Sequence, residues 1–261
     1  MLVDMHLHEC TFSTDSFLHL EEIVSIAKEK GLDAICITDH DSMGLRERAE
    51  AYSREIGYPI FVGVEFFSLW GDITAWGIDG IPDHRIDAQD FIDLVREKDG
   101  FCVSCHPFRN NNRGLREHLR DVHGLNGVEV LNGSTPLEDN QMALRFCREL
   151  GLKAIGASDA HVPQQVGKYV TWLPEMVTTL PDFVTALHTL ETRPAVPATL
   201  KSISPWKSST PWMSVNVRHA PVSCSMALCH MRYSCRKTVV IFHKKRFSGG
   251  KRFSKSGEVE N

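Results

Sequence analysis

The sequence predicts an α/β protein whose parallel strands close, or nearly close, into a barrel, followed by a separate basic segment. Three observations point there. Strand-like apolar runs alternate with amphipathic helical stretches as far as about residue 195. Each of four helical stretches ends in a glycine, the residue favoured just past a helix C-terminus, and the next strand soon follows. Seven apolar runs are enough for a closed parallel barrel with right-handed crossovers, and an open doubly wound sheet is the alternative.

In chain order, strands are expected at 2–7, 33–38, 59–65, 73–78, 101–105, 127–131 and 153–157. Helices are expected at LEEIVSIAKEKG (20–31), LRERAEAYSREIG (45–57), AQDFIDLVREKDG (88–100) and LEDNQMALRFCRELG (137–151). A first domain is therefore expected over 1–200. After 201 the rhythm stops: KSISPWKSSTPWMS is rich in Ser and Pro, and HKKRFSGGKRFSKSG repeats KRFS around Gly-Gly. Such a composition suits a flexible, solvated tail.

Charge divides the chain at the same place. Residues 201–261 hold 12 Lys and Arg against Glu258 and Glu260, out of totals of 29 basic and 33 acidic residues in the 261-residue chain. That leaves 17 basic and 31 acidic residues for 1–200, so an acidic body of −14 carries a basic segment of +10. The body argues against broad contact with long nucleic acid, whereas the basic segment offers a route to a polyanion. Cys224, Cys229, His230 and Cys235 have a spacing that matches no common zinc module well. No run approaches the ~20 apolar residues of a membrane span. The eight scattered cysteines suit reduced thiols, so a cytoplasmic location is expected.

The chemistry sits at strand ends. In VDMHLH (3–8), alternation puts Asp4, His6 and His8 on one face. AICITDHD (34–41) ends in Asp39, His40 and Asp41, where Asp41 or Ser42 could instead cap the next helix. Glu65 follows the apolar run IFVGV and precedes two phenylalanines, so it needs a strong partner to stay ionised. His106 ends FCVSC, Asp159 and His161 end KAIGAS, and Asp15 lies on the loop after the first strand. Five histidines and three carboxylates at the C-terminal ends of successive strands exceed the four ligands of one tetrahedral site, so two or three metals are expected. Arg109, three residues past His106, is expected to clamp a phosphate oxygen. His84, His118, His123 and His188 have no ligand partners nearby in sequence and read as surface or packing residues.

H-L-H at 6–8, T-D-H-D at 38–41, Glu65, C-H-P at 105–107 and S-D-A-H at 158–161 resemble the ordered motifs of the PHP family (polymerase and histidinol phosphatase) across residues 2–195. The resemblance implies a distorted seven-stranded (β/α) barrel with two or three divalent ions (Mn, Zn or Fe) and phosphoester hydrolysis. It implies that His6, His8 and Asp159 hold a first ion. Glu65 would bridge to a second with His106, and Asp15, His40 and His161 would hold a third. Glu65 and Asp159 are the implied catalytic residues. Family members commonly carry a histidine just before the run seen here as ITAWGID; that place holds Asp72, a change that bears on the second ion. The expected function is a phosphoric ester hydrolase acting on a small phosphomonoester, a nucleotide or an oligonucleotide end. A histidinol-phosphatase-like enzyme and a non-catalytic metal-binding module are the alternatives. A C–N-cleaving amidohydrolase is disfavoured by the T-D-H-D and S-D-A-H pair.

Overall fold

The computed structural model describes residues 1–197; the basic segment and its Cys224, Cys229, His230 and Cys235 lie outside them. Within the described residues no helix is long and apolar enough to cross a membrane. The described residues build a mixed α/β fold from two five-stranded sheets and five α-helices.

The first sheet contains β1 (Leu2–Asp4), β2 (Ala34–Ile37), β3 (Ile60–Val62), β9 (Val170–Trp172) and β10 (Arg193–Ala195), ordered β10-β9-β1-β2-β3. The second contains β4 (Val64–Phe67), β5 (Asp72–Trp76), β6 (Phe101–Ser104), β7 (Gly127–Asn132) and β8 (Lys153–Ala157), in that order. Strand pairing in the described residues forms no closed ring of seven strands. The two sheets are joined by isolated bridges, Leu7 with Ala160 and His40 with Glu65. The expected all-parallel arrangement also fails at β5, which runs antiparallel to both β4 and β6. Only residues 68–71 separate β4 from β5, too few for the dozen or so of a parallel crossover.

The helices are α1 (Leu20–Glu29), α2 (Arg46–Ile56), α3 (Ala88–Glu97), α4 (Leu137–Leu150) and α5 (Leu180–Thr189). Each buries one stripe: α3, for example, buries Ala88, Phe91, Ile92 and Val95, the 3.6-residue spacing of a core-facing helix. Gly57 and Gly151 end α2 and α4 in the left-handed conformation, as the sequence suggests. At the end of α3 that conformation falls to Asp99 (φ 53°). α5 starts at Thr179, whose hydroxyl accepts from the Asp182 N–H. Its Phe183 stacks on Phe61 at 4.3 Å and meets Trp76 edge-on, in a core cluster with Val3, Met5 and Ile155.

Candidate metal centre

β1 ends at Asp4, yet the chain stays extended as far as His8, because residues beside it hold it there. The Asp159 N–H donates to the His6 carbonyl (2.8 Å), the His8 N–H to Ala160 (3.2 Å) and the Thr38 N–H to Leu7 (2.9 Å). His6 and His8 thus face the same way, both fully buried. His40 follows β2, Glu65 lies within β4, Asp72 opens β5, His106 follows β6 and Asp159 follows β8. His106 (φ 31°) and Asp159 (φ 52°) both adopt left-handed backbone, a conformation Asp and His take up more readily than most side chains.

The structure brings all eight expected metal-binding residues together. Nε2 of His6 is 3.0 Å from Nε2 of His8, and Oδ1 of Asp159 is 3.7 and 3.3 Å from those two atoms. Glu65 is the hub: Oε1 lies 2.8 Å from Nε2 of His106, and Oε2 lies 2.6 Å from Nδ1 of His40. Asp15, the most exposed member, places Oδ2 3.2 Å from Nε2 of His40 and 3.4 Å from Nε2 of His161. Donor sets that converge within 4.8 Å among the described residues include His6, His8 and Asp159; Glu65, Asp72 and His106; His8, His40 and His161; and His6, Glu65 and Cys105.

The hydrogen bonds fix which atoms are available. Nδ1 of His6 donates to Glu129 (2.8 Å), leaving Nε2 aimed inward. Ser13 spends its hydroxyl proton on Asp39 (2.8 Å) and so accepts from Nδ1 of His8 (3.2 Å), again leaving Nε2 inward. Two ring nitrogens 3.0 Å apart therefore face each other, and a cation must lie with them: a proton on His6 or a metal ion. Oε2 of Glu65 is buried without a hydrogen bond despite its proximity to His40. A buried carboxylate oxygen and inward imidazole nitrogens are the donor set of a divalent metal, and these residues fit one.

Electrostatics follow the same geometry. Burial alone would raise the carboxyls of Glu65 and Asp159, but the histidines around them, with Arg109 beside Asp159, hold both well below the usual range. Burial pushes His8 down to about 3, which keeps its ring neutral. Burial also opposes the charge on His40, yet its contact with Glu65 carries it up to about 9.

Several neighbours were not foreseen from sequence. Glu129, buried in β7, also accepts from the His106 N–H and from Asn132. A carboxylate inside the apolar run GVEVLN is the same signal that marks Glu65. Asp39 does not face the cluster; it anchors the Glu9 N–H and Ser13. Asp41 and Ser42 leave α2 uncapped: Asp41 accepts from the Phe67 N–H and Ser42 from the Gly44 N–H. Arg109 is largely buried and points inward, donating to Thr135, Asn132 and Asp159.

A family model described as the PHP domain matches residues 4–107, and one described as PHP-associated matches 138–192. An uncharacterized protein of Methanocaldococcus jannaschii is 24% identical over 141 residues, covering 51% of this chain and 82% of its own. A crystal structure from Bifidobacterium adolescentis, inferred to be a metal-dependent phosphoesterase, superposes with a TM-score of 0.51 at 19% identity, covering 62% of this chain and 88% of that one. The lesion-specific endonuclease Q of Pyrococcus furiosus superposes at 0.58 with 16% identity, covering 73% of this chain and 57% of that one. The order of motifs, the family models and the fold agree: the chain carries a PHP domain over residues 4–107 and a PHP-associated region over 138–192.

Proposed function

We propose that this protein is a metal-dependent phosphoesterase that hydrolyses a phosphomonoester or a nucleotide phosphate. The observation that carries the reading is the hub at Glu65. One buried carboxylate reaches His106 with one oxygen and His40 with the other, so neighbouring cations would share it. Bound divalent ions, Mn, Zn or Fe, would acidify a water and neutralise charge on the phosphoryl oxygens. His6, His8, Asp159 and Glu65 would hold one ion, and Asp15, His40 and His161 another; the set of Glu65, Asp72 and His106 is treated below. Glu129 holds the His6 ring in the orientation and tautomer a ligand needs. Arg109 locks Asp159 and adds positive charge on that side of the cluster, where a phosphate oxygen would dock.

Similarity to endonuclease Q extends the substrate class to an oligonucleotide phosphate, and the basic 201–261 segment would supply the polyanion contact that an acidic body lacks. The test is metal content by mass spectrometry on protein purified without chelator, with p-nitrophenyl phosphate turnover on the same sample. Bound metal with turnover that disappears in Asp159→Ala supports the reading. Protein that neither holds metal nor gains turnover with manganese, zinc or iron overturns it.

A further inference from the structure

One corner of the cluster already contains a positive charge. Arg113 grips Asp72 with two parallel bonds, Nε to Oδ2 at 2.6 Å and Nη2 to Oδ1 at 3.0 Å, the fork geometry in which guanidinium binds carboxylate most strongly. The same Nη2 is 3.4 Å from Nδ1 of His40. Asp72 Oδ2, the oxygen nearest His106 at 3.7 Å, is therefore the one Arg113 holds most closely.

The backbone holds the arginine in place. The Asp72 N–H donates to the Arg113 carbonyl at 2.6 Å, and the Arg113 N–H donates to Asn111. A Cβ on Gly71 would come within 2.7 Å of Gly114 C and Leu115 N, so the loop presses directly on the start of β5. The guanidinium also lies over the Phe67 ring at 4.4 Å, with Arg85 over the same ring at 3.7 Å. A side chain held by a carboxylate, an aromatic face and its own backbone is a built part of the site.

We infer that Arg113 takes the place of one cation: the cluster binds two divalent ions, and the third positive charge is the guanidinium clamped on Asp72. This deepens the phosphoesterase reading and holds only if the cluster is the metal centre proposed above. Glu65, Asp72 and His106 lie close enough together to hold an ion, but each oxygen of Asp72 already accepts from the guanidinium. An ion there would face a fixed like charge at short range. The exchange alters the chemistry available. An arginine cannot acidify a water, but it presents oriented N–H donors to a phosphoryl group and is insensitive to chelators.

The test counts metal per chain after apo-protein is reloaded with excess Mn(II) and desalted, in the wild type, in Arg113→Met and in Asp72→His/Arg113→Met. Two equivalents in the wild type and three in either variant are expected. Three equivalents in the wild type would overturn the inference and leave the metal-centre reading standing. A count of two in folded variants, confirmed by an unchanged circular dichroism spectrum, would overturn it as well. No metal in any of the proteins would overturn both readings together. If the variants do not fold, the wild-type count decides alone.

Discussion

Nε2 of His6 sits 3.0 Å from Nε2 of His8, while the opposite nitrogen of each ring is committed to a protein oxygen. Without metal, His6 must carry a second proton to donate across that gap, and Glu129, Asp159 and Glu65 overcome its burial to raise its pKa well above the ordinary value. Metal and proton therefore compete for one place. Metal loading of the apo-protein should release protons, detectable as a buffer-dependent enthalpy in titration calorimetry. A buffer-independent enthalpy would contradict the competition.

His40 sets the direction of the pH response. Its folded-state pKa is raised to about 9 from an ordinary 6.5, because the Glu65 contact outweighs burial. In the apo-protein this stabilisation is fully present below pH 6.5 and is lost as pH rises through about 9. Metal requires the neutral ring, so the gain in Tm on adding metal should be larger at pH 9 than at pH 6.5. Equal gains at both values would show that His40 does not couple to the metal.

Glu129 touches no expected ion, yet it orients His6 and accepts from the His106 N–H. Glu129→Gln should weaken metal binding by about 10- to 100-fold, the usual effect of losing a supporting carboxylate. Chelator competition measures it. Unchanged affinity would reduce Glu129 to a packing role.

Asp159 contacts His8 and Arg109 at once. Asp159→Ala should abolish p-nitrophenyl phosphate turnover, by at least about a hundredfold, and should leave Arg109 buried without its charge partner. Asp159→Asn tests the same point with less disturbance. Residual turnover near wild type would remove Asp159 from the centre.

Away from the site, Phe183 stacks on Phe61, meets Trp76 edge-on and is fully buried. Phe183→Ala should cost about 3–5 kcal/mol and lower Tm, with metal stoichiometry unchanged below the new midpoint. Denaturant unfolding gives the number directly.

The strand-end histidines were legible because alternation alone aims His6 and His8 together, and apolar runs mark where strands stop. Glu65 was legible because no lone carboxylate rests comfortably between Val64 and Phe66. Glu129 sits in an equally apolar strand and carries the same mark, but it belongs to none of the motifs that carry the family resemblance. Arg113 was not legible: it lies in the polar loop RNNNRG, and only the approach of that loop to Gly71 brings it to Asp72. The antiparallel β5 could have been read from the short 68–71 interval. β9 and β10 could not, being three residues each, one of them containing Pro194. α5 had its start signal in Thr179 and Pro181, with apolar positions following at helical spacing.

The two isolated bridges between the sheets, Leu7 with Ala160 and His40 with Glu65, lie within the ligand cluster itself. His6, His8 and His40 come from one sheet, and Glu65, His106 and Asp159 from the other. Ions bound there would act as rivets across the seam between the two sheets. Stripping them should let the two halves part locally, so that the amides of 6–8, 38–41 and 158–160 exchange together and faster while the strand interiors stay protected. The reaction centre and the fastening of the fold would then be the same few atoms.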